Sequence, residues 1–165
     1  MPAISASGIP GEAFDFDGFT LSVDRSRAQG KDRVLQDIAN GFVAEARRVP
    51  GVLRADVLDR LARADTVKDA IARRWLHSFR PGGDVLAVVT LQPYHTFDGG
   101  NTATHGSPHD YDAQVPLIFW GAPFLPGRRT DAARVVDLAP TLAELLGVSP
   151  LERLDGHPLP GVRRP

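Results

Sequence analysis

The spacing of apolar and polar positions changes several times along the chain, and each change marks an element. Residues 1–12 (MPAISASGIPGE) are small, polar and punctuated by Pro and Gly, and read as a mobile tail. Phe14 and Phe16, then Phe19, Leu21 and Val23, follow at every second position. That two-residue period belongs to strands, and Asp17-Gly18 between the two runs predicts a tight hairpin. Over residues 30–49 the period lengthens, with Val34 or Leu35, Ile38, Phe42, Ala46 and Val49 at helical spacing until Pro50-Gly51 stops the pattern. Residues 52–58 read as a strand running into a short helix at 57–63. Asp65 or Thr66 is placed to cap a further helix, 67–79, whose inner face would be Val67, Ala70, Ile71, Trp75 and Phe79.

Pro81-Gly82-Gly83 ends that helix, and residues 84–91 (DVLAVVTL) form an unbroken apolar run, the mark of a strand covered on both faces. Residues 92–114 then hold almost no aliphatic side chains. Residues 115–120 (VPLIFW) predict the next buried strand, with Pro116 near its start or on an edge because proline cannot donate to a ladder. Both tryptophans, Trp75 and Trp120, are expected in core or sheet packing. Asp137 is a good N-cap for the apolar helix LAPTLAELL, Pro140 falls in its first turn, and Gly147 stops it. Strands alternating with helices argue an α/β or α+β protein. The expected organisation is a strand–helix subdomain at 13–91, a second part at 92–160 that reads as the closing strand and helix of something larger, and a tail at 161–165.

Composition narrows the class without naming an activity. A 165-residue chain with 42% hydrophobic and 24% charged residues is long enough to bury a real core. The net charge of −1 gives no bulk attraction to nucleic acid or to an anionic membrane. With no cysteine, disulfides and thiolate metal sites are excluded. The apolar runs at 85–89 and 115–125 are too short to span a bilayer, and the first residues lack the basic start and apolar stretch of a signal peptide. The compartment stays open. Arginine outnumbers lysine 17 to 2, a bias that a GC-rich genome produces.

The chemistry is concentrated between the two most apolar runs, in YHTFDGGNTATHGSPHDYD, which carries His95, His105 and His109 with Asp98, Asp110 and Asp112. Loops that leave the carboxyl ends of strands are where ligands bind in open α/β sheets. Imidazole together with carboxylate suits zinc, manganese or iron, whereas calcium takes oxygen alone. His105 and His109 are four residues apart, but Gly106 and Pro108 between them preclude a helix, so the spacing does not aim both rings at one point. An ordinary polar loop and a small metal-binding domain built on His95, His105 and His109 both fit. Gly99-Gly100-Asn101 reads as a turn, lacking the lysine of a P-loop, and neither G-x-S-x-G nor H-E-x-x-H occurs.

Thr104-His105-Gly106-Ser107-Pro108, then Asp110-Tyr111-Asp112, then Val115-Pro116-Leu117-Ile118-Phe119-Trp120-Gly121, resembles the C-terminal signature of the alkaline phosphatase superfamily. The branch it is most similar to is the type I phosphodiesterase/nucleotide pyrophosphatase-like alkaline phosphatases. Val136-Asp137-Leu138-Ala139-Pro140-Thr141-Leu142-Ala143-Glu144-Leu145-Leu146-Gly147 and Asp155-Gly156-His157-Pro158-Leu159 resemble the helix and terminal loop of the same enzymes. The resemblance covers roughly residues 14–160. It implies part of a large α/β/α sandwich and a phosphate-ester hydrolase that uses two zinc ions and a covalent phospho-enzyme, with His105 as one zinc ligand. A paired metal site steadies both the attacking and the leaving oxygen of an in-line displacement. No segment resembles the family's nucleophile or its remaining ligands, no D-H-G occurs, and position 109 holds His where an aromatic is expected. The expectation is therefore a C-terminal portion with no catalytic residue of its own, inactive in isolation. A non-catalytic binding or scaffold module of the same fold is the alternative. Self-association through an exposed core face at 115–121 and 137–147 is expected in either case.

Overall fold

In the computed structural model of the chain, which describes residues 2–97, 103–121, 124 and 126–161, the alternating run at 14–23 forms an antiparallel hairpin. Its strands are β1 (Phe14–Phe16) and β2 (Thr20–Val23), with Phe14 opposite Val23 and Phe16 opposite Leu21. The Asp17 carboxylate closes the turn by accepting from the backbone N–H groups of Phe19 (2.8 Å) and Thr20 (2.7 Å). Burial pushes its pKa up, but these hydrogen bonds and that of the Thr20 hydroxyl outweigh burial and hold it below the ordinary value.

The helical run becomes α2 (Asp32–Ala46), which buries Leu35, Ile38, Ala39, Phe42 and Val43, one face at three- and four-residue intervals. Strand β3 (Val52–Val57) runs directly into the short α3 (Leu58–Leu61). The next helix, α4 (Ala70–Ser78), starts later than the spacing predicts. Its cap is Asp69, which accepts from the Ala72 N–H at 2.9 Å, whereas Asp65 closes only the turn before it. Val67, expected on the inner face, is consequently 86% exposed.

The unbroken apolar run is β4 (Val85–Leu91), and it lies between β2 and β3 in a four-stranded sheet of order β1-β2-β4-β3, antiparallel throughout. Side chains alternate across it. Ala87, Val89 and Leu91 meet α2, while Val88 packs with Leu58, Leu61, Ala72 and Trp75 of α3 and α4. Helices on both faces explain why this strand reads as continuously apolar. Trp75 is buried, and its indole N–H donates to the Thr90 hydroxyl at 2.9 Å. The mixed α/β class is thus the one expected. The opening residues carry structure of their own: α1 (Pro2–Ser5) precedes a buried Ile9, and Lys31 Nζ donates to the carbonyls of Ser7 and Gly8.

These elements form one compact unit, Met1–Gln114; Val115–Pro165 form a second. In the second unit the predicted strand is missing. Residues 115–120 lie outside any helix or sheet among the described residues, with Ile118 81% and Trp120 95% exposed. No described strand of that unit offers a ladder, and Pro116 has no N–H to contribute to one.

The expected helix at the end is present as α6 (Leu138–Leu146), stopped by Gly147 in the left-handed conformation (φ 64°). Asp137 sits at its N-cap position, but its carboxylate turns back to accept from the N–H groups of Arg134 (2.8 Å) and His157 (3.0 Å). Thr141 donates to the Asp137 carbonyl at 2.6 Å and accepts from the Leu159 N–H at 2.9 Å. The 155–159 segment is therefore tied to the start of α6. Gly156 passes so close to the Val136 carbonyl that any Cβ there would collide with it.

Candidate functional site

The histidine loop leaves the carboxyl end of β4, but the sheet is antiparallel throughout, so the rule that places ligands at the carboxyl ends of parallel strands does not single this loop out. Gln92 N–H donates to the Gly51 carbonyl at 2.8 Å, and Tyr94 then takes a left-handed conformation (φ 63°) that a bulky side chain rarely adopts. Tyr94 N–H donates to the Tyr111 hydroxyl at 3.1 Å, and the two rings stack at 4.6 Å. Tyr111 stacks in turn on His109, centroids 5.4 Å apart. Position 109, where the resemblance calls for an aromatic, thus holds an imidazole used as one.

The three histidines have different fates. His109 Nε2 lies 2.8 Å from the Leu91 carbonyl, and a carbonyl only accepts, so this nitrogen carries the proton and is not a metal donor. His95 Nδ1 faces the Pro93 carbonyl at 3.1 Å in the same way. His105 is exposed and makes no hydrogen bond among the described residues. No group of three or more His, Asp or Glu that would hold a metal occurs among the described residues, so His95, His105 and His109 do not converge as the metal-domain reading requires. Asp98, with the Gly99-Gly100-Asn101 turn, lies outside the described residues.

What fixes the loop is a set of contacts with no local signal. Arg74 of α4 donates through Nη1 to the Pro108 carbonyl (2.7 Å) and through Nη2 to Asp110 Oδ1 (2.6 Å). Asp110 opens the four-residue α5 (Asp110–Ala113), and Asp112 accepts from the Ser107 N–H at 2.6 Å. Ser107 Oγ is buried without a hydrogen-bond partner among the described residues. Arg74, Tyr94 and Tyr111 are the residues that sequence reasoning missed. Of these only Tyr111, inside the D-Y-D run, has a position that draws notice.

Among the described residues no three of these donors come together, short of the three protein ligands of a catalytic zinc site and the four of a structural one. The donors described do not make a zinc centre among themselves.

No family model matches the chain. Parts of three curated proteins are similar to it. A calcium-transporting ATPase of Myroides odoratus is 30% identical over 105 residues, 62% of this chain and 19% of that protein. The alkaline phosphatase PhoK of a Sphingomonas species is 38% identical over 59 residues, 35% of this chain and 11% of PhoK. The alkaline phosphatase PafA of Elizabethkingia meningoseptica is 23% identical over 132 residues, 79% of this chain and 24% of PafA. The chain thus matches less than a quarter of the length of each relative. These distant, partial homologies to alkaline phosphatases suggest the alkaline phosphatase superfamily, and at most a phosphate-ester hydrolase family.

Proposed function

We propose that the chain is the C-terminal part of a zinc-dependent phosphate-ester hydrolase of the type I phosphodiesterase/nucleotide pyrophosphatase-like alkaline phosphatases. In this reading His105 gives one ligand to a two-zinc site, and every other part of the chemistry is supplied from outside this sequence. The observation that carries the proposal is the T-H-G-S-P…Y-D…V-P-L-I-F-W-G run, with His105 exposed on a loop that leaves the carboxyl end of β4. The partial homology to PhoK and PafA supports it. Zinc would act as a Lewis acid on phosphoryl oxygens. The chain's own residues do something narrower: Arg74, Asp112 and the Tyr94–Tyr111–His109 stack hold the loop in shape and leave the His105 imidazole without a partner among the described residues.

Two measurements test this. Purified chain with added zinc and a chromogenic phosphate ester should give no turnover above a metal-only blank. Zinc-dependent turnover abolished by His105→Ala would overturn the reading, because a complete site would then exist within these residues. In the second, the matching segment of PhoK is replaced by this chain's residues. Phosphatase activity should survive the exchange and be lost with His105→Ala. A folded chimera whose activity ignores that substitution would remove His105 from the metal site.

We infer as well that the exposed apolar side chains at 115–120 make the isolated chain self-associate.

A further inference from the structure

A cavity of about 490 Å³ opens between α2, β3 and the segment that starts with α3. None of its lining residues belongs to the 92–114 loop. Its polar wall consists of Asn40, Arg47, Arg54, Asp56, Arg60 and Arg63.

The charges on this wall do not balance. Arg54 is committed, its Nε 2.6 Å from Asp56 and its Nη1 2.7 Å from Asp69. Arg47 donates to the Ala55 carbonyl at 2.9 Å and reaches the same Asp56 at 3.7 Å. The Arg60 and Arg63 guanidiniums have neither a hydrogen bond nor an ion pair among the described residues. Four guanidiniums therefore answer to two carboxylates, and the surplus of two positive charges rests on Arg60 and Arg63. A GC-rich genome would account for Arg in place of Lys at these positions. It does not explain why four of the 17 arginines line one concavity.

We propose that this cavity binds a phosphoryl dianion. An anion of charge two neutralises the surplus, and tetrahedral oxygens accept from several guanidinium forks at once, which planar bidentate donors favour. The volume lies within the range of small-molecule sites and exceeds what a bare phosphate fills. Val43, Val57 and Leu61 give the remaining space an apolar wall, suited to the organic part of a phosphate monoester. The inference does not depend on the hydrolase reading, because it uses no residue of the histidine loop.

The test titrates the 165-residue chain with inorganic phosphate and, separately, with benzylphosphonate, at an ionic strength held constant by chloride. Calorimetry gives the affinity, and amide shifts in NMR spectra locate the site. Expected is saturable binding with shifts confined to α2, β3 and residues 58–64. The Arg60→Gln/Arg63→Gln double variant should bind at least about tenfold more weakly. Arg33→Gln, which removes an exposed α2 arginine outside the cavity, should bind as the parent does. Both cavity arginines stand on the surface, and a far-ultraviolet spectrum checks that the double variant folds. Tighter binding of the phosphonate than of phosphate identifies an ester as the source of the phosphoryl group; tighter phosphate identifies the free ion. Non-saturable binding, undiminished affinity in the double variant, or loss of binding in His105→Ala would each overturn the proposal.

Discussion

Residues 85–91 and 115–120 are the two most apolar runs of the chain, and they end in opposite environments. Strand β4 has β2 and β3 hydrogen-bonded along its two edges, α2 over one face and α3 with α4 over the other. The 115–120 run has no ladder among the described residues, and Val115, Leu117, Ile118 and Trp120 are all exposed. The tryptophans repeat the contrast. Trp75 is buried with its N–H satisfied by Thr90, and Trp120 stands in solvent. Apolar character states what a segment needs, and neighbouring strands decide whether it is supplied. Local pattern reveals the need alone.

The largest expected effect breaks this comparison if it is wrong. Leu58 has no exposed surface, so Leu58→Ala should lose about 2–5 kcal/mol from transfer and cavity terms, read as a lower urea midpoint. Ile118→Ala, an equally drastic truncation of a side chain 81% exposed, should change stability by less than about 0.5 kcal/mol. It should instead reduce light scattering and the binding of an apolar dye. Comparable stability losses for the two variants would mean that 115–120 is buried in solution.

A smaller effect tests whether acid acts on both regions. The Asp69 carboxyl is held below its ordinary 3.8 first by the Ala72 N–H it caps, then by Arg54. Asp137 is lowered first by the His157 N–H, then by that of Arg134. Both folded values are depressed, so each carboxylate contributes stability above the ordinary value that is lost as pH falls through the lowered one. Asp69→Asn keeps an effective cap but neither the charge nor the ion pair. At pH 7 it should cost no more than about 1 kcal/mol, and that cost should shrink as pH falls below 3.8, as urea midpoints at neutral and acid pH will report. Asp137→Asn should follow the same sign, seen as faster amide exchange at His157 at neutral pH with the difference fading in acid. A cost that persists unchanged at pH 2 would separate either residue from its titration.

Elements signalled within a few residues were legible in the sequence. The Asp17-Gly18 hairpin, the 35/38/42 face of α2, the strand-to-helix junction at 57–58, β4 and the Gly147 stop all carry their cause locally. What escaped depends on distant partners. Asp65 and Asp69 look alike as caps, and both accept from nearby N–H groups. Asp69 is the one that also meets Arg54, 15 positions away. The grip of Arg74 on Pro108 and Asp110 spans 34 and 36 positions, and no local pattern encodes it. The proposal for His105 rests on its motif alone, since its spacing from His109 had no geometric meaning.

The smallest effect concerns two histidines four residues apart in one loop. His109 is half-buried, with Nε2 on the Leu91 carbonyl and its ring on Tyr111, so His109→Ala removes a hydrogen bond and a stack. That loss should be about 1 kcal/mol. His105 has neither contact, and the cost of His105→Ala should stay within about 0.5 kcal/mol. Among the described residues the His105 imidazole has no hydrogen-bond partner, so the fold gains little from it. The paired urea titrations check this without metal. If His105→Ala proves as costly as His109→Ala, the ring is engaged within the chain itself, and the assignment of His105 to a metal loses its structural support.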